Sequence, residues 1–377
     1  MKTKRKFNFF DKLFFLFTVI LCASILISYL APYCDPSSYW LIAFFGLAYP
    51  VLLPAVAVMA IYWLLRRSIW VLLPVICILA GWKVMNESIG FRTHPSYDAA
   101  RDTNNIRVLT YNVHSFQKYG SKTDFSAMHD ILDIINQQQP TIVCMQEFFS
   151  YDQGPRDVLD SLQAVLHTTY NYHEVFRKHY ERRYAPSVGF FGMAIISKLP
   201  VVDTGFIQIS ESKRNDDQCL YADVKKGDKI FRIYNVHLQS IKFDPKDYSY
   251  LNEVAAEGKT DVNSTKRMWS KLKIAFIKRS GQISLIKQHA AQCPHPYIIA
   301  GDFNDTPGSF SVNQMEKGLK NSFCEKGSGL GITYNGDFPN FQIDYVMASP
   351  AFNIMNYDIV KQKLSDHYPV YSDMVLK

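Results

Sequence analysis

Gly301-Asp302-Phe303-Asn304 follows directly on the apolar run Tyr297-Ile298-Ile299-Ala300, and Ser365-Asp366-His367-Tyr368-Pro369 lies close to the last residue, Lys377. Apolar runs of this length predict strands that stop at the polar groups. A carboxylate and a carboxamide two residues apart point the same way at a strand's end. Joined by a distant Asp-His pair, they supply hard oxygen ligands and an imidazole, which can hold Mg2+ against a phosphate while one group activates water. The bland alternative for the first motif is a surface turn.

Other strand patterns end the same way. The stretch from Asn105 delivers Asn112, Thr141 to Gln146 delivers Glu147, Ile233 to Leu238 carries His237, and Gln342 to Met347 carries Asp344. Any one of these could be a satisfied structural group. Six such strand ends in one order are a pattern, and it resembles the endonuclease/exonuclease/phosphatase superfamily, which includes pancreatic deoxyribonuclease, apurinic endonucleases, neutral sphingomyelinases and inositol-polyphosphate phosphatases. The matching positions are Asn112, Gln146-Glu147, Gly192 to Ser197, His237, Gly301 to Asn304, Ile343-Asp344-Tyr345 and Ser365-Asp366-His367, covering about Asn105 to Lys377. The resemblance implies an α/β fold, a four-layer sandwich of two packed β-sheets flanked by helices, with the site at one end.

Chemistry assigns the roles, and the resemblance agrees where it speaks. Glu147 is the expected metal anchor, supported by Asn112 and Asp366, with Mg2+ as cofactor and Mn2+ as the alternative. Asp302 is the candidate to orient or deprotonate the attacking water, and Asn304 to place a donor on the phosphate. His367 can donate to a phosphate oxygen or shuttle a proton, and a carboxylate partner would raise its pKa. Asp344 resembles that partner. His237 matches a histidine that deoxyribonuclease-like and sphingomyelinase-like members place near the leaving group. Its own acidic partner is not assigned; Glu174 and Glu181 are neighbours in the right stretch.

Length and charge frame the rest. The chain has 377 residues, 48% of them hydrophobic, and the apolar content concentrates in the first quarter. Residues 13–31 and 39–65 are long enough to cross a bilayer, and 68–84 is a shorter third candidate. We therefore expect a membrane anchor over 1–84, a linker over 85–104 and a catalytic domain over 105–377. Lys2, Lys4, Arg5, Lys6 and Lys12 precede the first run and Arg66-Arg67 follows the second, so the positive-inside rule puts both on the cytoplasmic side. Three spans then place the catalytic domain on the periplasmic, extracytoplasmic side of an inner (plasma) membrane. Residues 1–104 hold ten Lys+Arg and five Asp+Glu, leaving 31 against 29 of the chain's 41 and 34 for the rest. Such a balanced domain gives no strong electrostatic argument for nucleic acid. The seven cysteines lack metal-ligand spacing, which speaks against zinc.

Phe125 to Gln139 has the spacing of a one-sided helix stopping before Pro140, and Ser264 to His289 that of a longer one, whose lysines 266, 271, 273 and 278 read as a solvated face. Arg177, Lys178, Arg182 and Arg183 alternate with aromatics before Gly189. Two readings fit that stretch: a grip on a polyanion with stacked bases, or a solvated strand edge. Ile241 to Asp261 looks like an insertion beside His237 that shapes the pocket, and Gln342 stands where many bacterial relatives carry Arg. The favoured expectation is a phosphodiester hydrolase acting on nucleic acid; the alternative is a sphingomyelinase-like or phosphoinositide-type lipid phosphoesterase, and the third an inactive scaffold. No protein partner is inferable.

Overall fold

The computed structural model describes residues 8–92, 102–118, 120–121, 124–180, 188–258, 260–336 and 340–377. Four helices come first: α1 (Phe9–Ser28), α2 (Pro36–Leu65), α3 (Leu72–Ala80, after a 3-10 turn from Ile69) and α4 (Trp82–Ser88). Then follow β1 (Gly90–Phe91), β2 (Asn105–Asn112), α5 (Ala127–Gln138), β3 (Ile142–Tyr151), α6 (Val158–Leu166), β4 (Tyr170–Tyr180), β5 (Val188–Ser197) and β6 (Val201–Ile207). The chain continues through β7 (Gln218–Lys226), β8 (Lys229–His237), α7 (Pro245–Glu257), α8 (Val262–Ala291), β9 (Tyr297–Asp302), α9 (Phe310–Glu316), β10 (Lys320–Asn321) and α10 (Ser322–Lys326). It closes with β11 (Ser328–Gly329), β12 (Asp344–Ala348), β13 (Phe352–Ile359) and β14 (Val370–Leu376).

Two six-stranded sheets result, in the orders β10-β12-β9-β8-β7-β6 and β13-β14-β2-β3-β5-β4. Side-chain alternation explains why they pack. In β2, Ile106 and Val108 join Ile233, Ile298 and Val346 of the other sheet in a buried core between the two, while Leu109 and Tyr111 turn the other way onto Ile131 and Ile135 of α5. On the far side Tyr234, Val236 and Ile299 meet Ile283 and Ile286 of α8. Helix, sheet, sheet, helix is the four-layer sandwich that the resemblance implies.

Register makes the site. In one sheet β8 and β9 run parallel and pair His237 with Asp302, and antiparallel β12 pairs Asp344 with Asp302, so three of the candidate residues stand in one row. In the other, parallel β2 and β3 pair Asn112 with Gln146. The approach of β8 to β9 requires glycine: a Cβ on Gly301, at φ +151, would stand 1.9 Å from the Val236 carbonyl oxygen. Gly301→Ala should therefore destabilise the fold by about 1–3 kcal/mol, seen as a lower thermal midpoint. An unchanged midpoint would show that the two strands part without cost.

The N-terminal helices differ in detail from the expectation. α1 and α2 are long and apolar enough to cross a membrane, and the third segment is a pair, Ile69–Ala80 and Trp82–Ser88, bent by 62°. Asp11 near the start of α1 is bound by Arg66 and Tyr62 at the end of α2, so those two ends share one level. At the opposite end Tyr29 donates to the Cys77 carbonyl and Lys83 reaches Tyr33. The polar stretch read as a linker is structured at its start: α4 runs to Ser88, and Gly90–Phe91 pairs with Ser328–Gly329. The α8 lysines are not simply solvated. Lys271 holds Asp244 and Asp247 of the α7 start, Lys278 pairs with Glu211, and Lys273 lies over the Trp40 ring of α2. No disulfide forms among the described residues.

Candidate active site

Glu147 faces the site because β3 bulges there. The pairing of β3 with β5 shifts between Met145 and Phe148, and Glu147 takes a left-handed φ of +51. The extra residue sends Gln146 inward to Asn235 (2.6 Å) and Thr110 (3.0 Å), and turns Glu147 toward the sandwich end. Asn112 bridges the two sheets, its Nδ2 donating to Glu147 Oε1 (3.2 Å) and Asp302 Oδ2 (3.1 Å). Its Oδ1 accepts from the His114 N–H. Ser365, fully buried, donates to the Asn112 carbonyl and so holds the loop with Asp366 and His367 against the end of β2.

Asp302 is the centre. Its Oδ2 lies 3.5 Å from His237 Nε2 and 3.6 Å from His367 Nε2, and it also accepts from Asn304 Nδ2 at 3.2 Å. Asn304, at φ +52, closes a tight turn by donating its N–H to Asp302 Oδ1. His367 Nδ1 is 2.9 Å from Asp344 Oδ2, the partner that the resemblance implies, and Tyr334 packs edge-on to the ring at 5.2 Å. His237 Nδ1 donates to the backbone carbonyl of Asp216, 3.0 Å away. That fixes its tautomer and leaves Nε2 for chemistry. Neither Glu174, which accepts from Tyr172, nor Glu181, which lies outside the described residues, is needed for this.

Burial pushes the Asp302 carboxyl up to about 6, and Asp344 adds to the effect while the two imidazoles and Asn112 oppose it. Burial raises Glu147 too, but His114, His237 and Asn112 outweigh it and hold that carboxyl down at about 2. His114 is raised, chiefly by its hydrogen bond to Glu147. Burial works to lower His367, yet Asp344 and Asp302 carry it well above the usual imidazole range.

His114 was not foreseen as a site residue, although it stands two residues after Asn112. Its Nδ1 lies 3.5 Å from Glu147 and 3.7 Å from Asp366, so positive charge is drawn to the point between two expected metal ligands. Asp302, Asp344 and His367 also bring ligand atoms within 4.8 Å of one another. Four carboxylates thus converge, and among the described residues only imidazoles pair with Glu147, Asp302, Asp344 and Asp366. A buried oxygen of Asp344, Oδ1, has no hydrogen-bond partner. This donor set fits a hard divalent cation.

The basic strip is only partly engaged. Arg177 is exposed, pairs with Asp216 at 2.6 Å and lies over Phe191, so it touches the site through the residue that orients His237. Lys178 is exposed, and Arg182 and Arg183 lie outside the described residues. Gln342 is buried with both amide ends unpaired. The expected insertion holds α7, and its Ile241, Lys242, Phe243 and Tyr248 line the site cavity, of about 200 Å3.

Two stacked mixed sheets, with carboxylates and imidazoles at one end of the sandwich, define a class of phosphoester-cleaving folds. The chain belongs to the endonuclease/exonuclease/phosphatase family, whose model matches residues 109–367. A second match, over residues 11–88, is to a domain of unknown function. No curated protein matches the sequence. Among solved structures, an endonuclease/exonuclease/phosphatase from Bacteroides vulgatus is 16% identical, with a TM-score of 0.51, 72% of this chain covered and 99% of that one. A family protein from Bacteroides thetaiotaomicron is 17% identical at 0.51, covering 72% and 98%. One from Beutenbergia cavernae is 18% identical at 0.50, covering 72% of each. These likenesses carry the fold.

Proposed function

We propose that this chain is a membrane-anchored, divalent-metal-dependent phosphodiester hydrolase. The observation that carries it is the convergence of Glu147, Asp302, Asp344 and Asp366 with imidazoles as their only described ion-pair partners. Glu147, Asn112 and Asp366 would hold Mg2+ or Mn2+, with the Asn112 carboxamide turned over to present its oxygen. When bound there, the ion supplies charge neutralisation and polarises the phosphoryl oxygen.

The chain's own residues do the rest. Asp302, with a carboxyl near neutrality, takes the proton of the attacking water. The water oxygen bonds to phosphorus as the P–O bond to the leaving alcohol breaks. His237, oriented by Asp216 and entering the step protonated on Nε2 as well as Nδ1, gives its Nε2 proton to that alcohol, and the proton taken up by Asp302, 3.5 Å away, then replaces it. The His367 imidazolium, held by Asp344, and the Asn304 carboxamide donate to non-bridging oxygens and stabilise the charge that builds there. A diester and water thus become a monoester and an alcohol. Hydrolysis of bis(p-nitrophenyl) phosphate by the full-length protein, with Mg2+ and then with chelator, tests this reading.

The nucleic-acid expectation rests on the bulk of the resembled family and on the basic-aromatic stretch with Arg177, Lys178, Arg182 and Arg183. One observation favours a lipid instead: Leu47 of α2 lines the same cavity as Asp302.

On topology, the paired ends of α1 and α2 at Asp11 and Arg66 lie opposite the end of α2 that meets α8, and the bent third segment leads back toward the catalytic domain. With the basic ends inside, the catalytic domain faces out. Alkaline phosphatase fused after Lys377 should be active, and a fluorescent protein that folds only in the cytoplasm should be dark. The reverse pattern would mean that the bent pair does not cross.

A further inference from the structure

We propose that the site draws its phosphoester from a membrane-resident amphiphile, whose headgroup phosphate meets Asp302, Glu147 and His367 while its chain lies along Leu47 and Phe276 toward α2. This rests on the hydrolase reading above and names its substrate class.

The first observation is the wall of the pocket. Leu47, from an apolar helix, lines one cavity together with Glu147, Asp302, Asp366 and His367. The same cavity is also lined by apolar Ile241, Phe243, Phe276, Phe341 and Ile343, alongside polar Ser240, Arg279, Asp305 and Thr306. A phosphate alone needs no such surface, whereas a chain of methylenes gains about 0.8 kcal/mol for each one buried.

The second is how firmly α2 is seated. Phe44 stacks on Trp269 of α8 at 4.4 Å and meets Phe276 edge-on at 5.3 Å. Asp35, the N-cap of α2, accepts from Ser280 at 2.8 Å. A Cβ on Gly46 would come within 3.2 Å of the Gly308 carbonyl, in the loop that continues from Asp302 and Asn304. The membrane helix therefore touches both the helix and the loop that frame the reacting groups.

The third is depth. With 30 residues, kinked at Tyr39, α2 is at most about 45 Å long, while the hydrocarbon core is about 30 Å thick, or about 20 residues. Arg66 marks one interface. Counting about 20 residues back from Leu65 reaches Gly46 and Leu47. The first turns of α2, with Trp40, and the exposed Trp269 of α8 then lie at headgroup level, where tryptophan concentrates. The catalytic pocket opens at the depth where lipid phosphates reside. Lys242, exposed at the cavity rim, supplies a cation for a headgroup phosphate. A nucleic-acid strand would instead have to enter an anionic headgroup layer to reach the same groups.

The test compares rates for full-length protein reconstituted in phosphatidylcholine vesicles. The probes are long-chain phosphatidylglycerol and a singly phosphorylated phosphatidylinositol in the bilayer, their water-soluble dihexanoyl analogues, bis(p-nitrophenyl) phosphate and a single-stranded oligonucleotide. At least one long-chain lipid should be cut about 100-fold more efficiently than its dihexanoyl analogue, the equivalent of a few buried methylenes. Leu47→Asp should lower that long-chain to short-chain ratio at least about 10-fold, and the milder Leu47→Ala should lower it less. Circular dichroism and the thermal midpoint report folding in each variant, the ratio is read only in a folded one, and if Leu47→Asp does not fold Leu47→Ala decides. Cleavage of bis(p-nitrophenyl) phosphate without turnover of either vesicle lipid overturns the proposal and leaves the hydrolase reading standing. So does an unchanged ratio in both variants, or faster cleavage of the oligonucleotide than of any lipid. If no probe is cut, the hydrolase reading itself has failed.

Discussion

Asp302→Asn will lower turnover of a phosphodiester by about 10²–10⁴-fold, or about 3–5 kcal/mol in the barrier, with the fold intact. The change keeps the size and one oxygen of a side chain that is 1% exposed, so packing is preserved. Asn304 Nδ2 and Asn112 Nδ2 both donate to Asp302 Oδ2, and the retained carboxamide oxygen can accept from one of them. What is lost is the base, placed 3.5 Å from His237 and 3.6 Å from His367. His367→Ala should cost at least the lower bound too, because it also leaves Asp344 buried without its imidazole partner. Circular dichroism and the thermal midpoint report on folding in each variant; near-wild-type turnover in a folded Asp302→Asn protein would remove its assigned role.

The second large effect is thermodynamic. Mg2+ at about a hundred times its dissociation constant should stabilise the protein by about 2.7 kcal/mol, a rise of roughly 5–10 °C in the midpoint of a domain this size. Its pH dependence follows from the site. Asp302, raised to about 6 by burial, becomes a costly buried anion as pH rises through that value. His367, raised above its ordinary range, contributes stability at low pH that is lost as pH rises through its folded value. Asp302 thus costs stability as pH rises from about 4 to about 6, and His367 as it rises above about 6.5, so the metal-free protein weakens toward alkaline pH. A dication compensates the buried negative charge, so the shift on adding Mg2+ should be larger at the alkaline end. Glu147, held near 2, stays ionised throughout and offers a ligand at either pH. Glu147→Ala should abolish most of the shift, and an equal shift in that variant would move the metal away from Glu147.

Much of this site was legible because strand ends are local features. Asn112, His237, Asp302 and Asp344 each close or open an apolar run, and parallel pairing of β8 with β9 then brings two of them together. Glu147 needed more than periodicity. Its direction depends on a bulge against β5, which depends on a partner nearly fifty residues away and leaves no mark in the local pattern. Asp216 was missed for a similar reason: it acts through its backbone carbonyl, which every residue type possesses. Lys271 and Lys273 of α8 have partners that the sequence does not show, because an exposed face in sequence can become a docking face once α2 and α7 arrive, while Lys266 stays exposed as expected. Leu47 was the least predictable of all. It belongs to an apolar run whose length and composition suit a membrane span, and only the tertiary structure brings it to the cavity of Asp302.

Whether these carboxylates serve metal-assisted phosphodiester hydrolysis is tested most directly by stripping the full-length protein with chelator, following bis(p-nitrophenyl) phosphate, and then restoring Mg2+ or Mn2+. Turnover should vanish on stripping and return on restoration in the wild type, but not in Glu147→Ala. Undiminished hydrolysis by the stripped protein, or full recovery in Glu147→Ala, would contradict it.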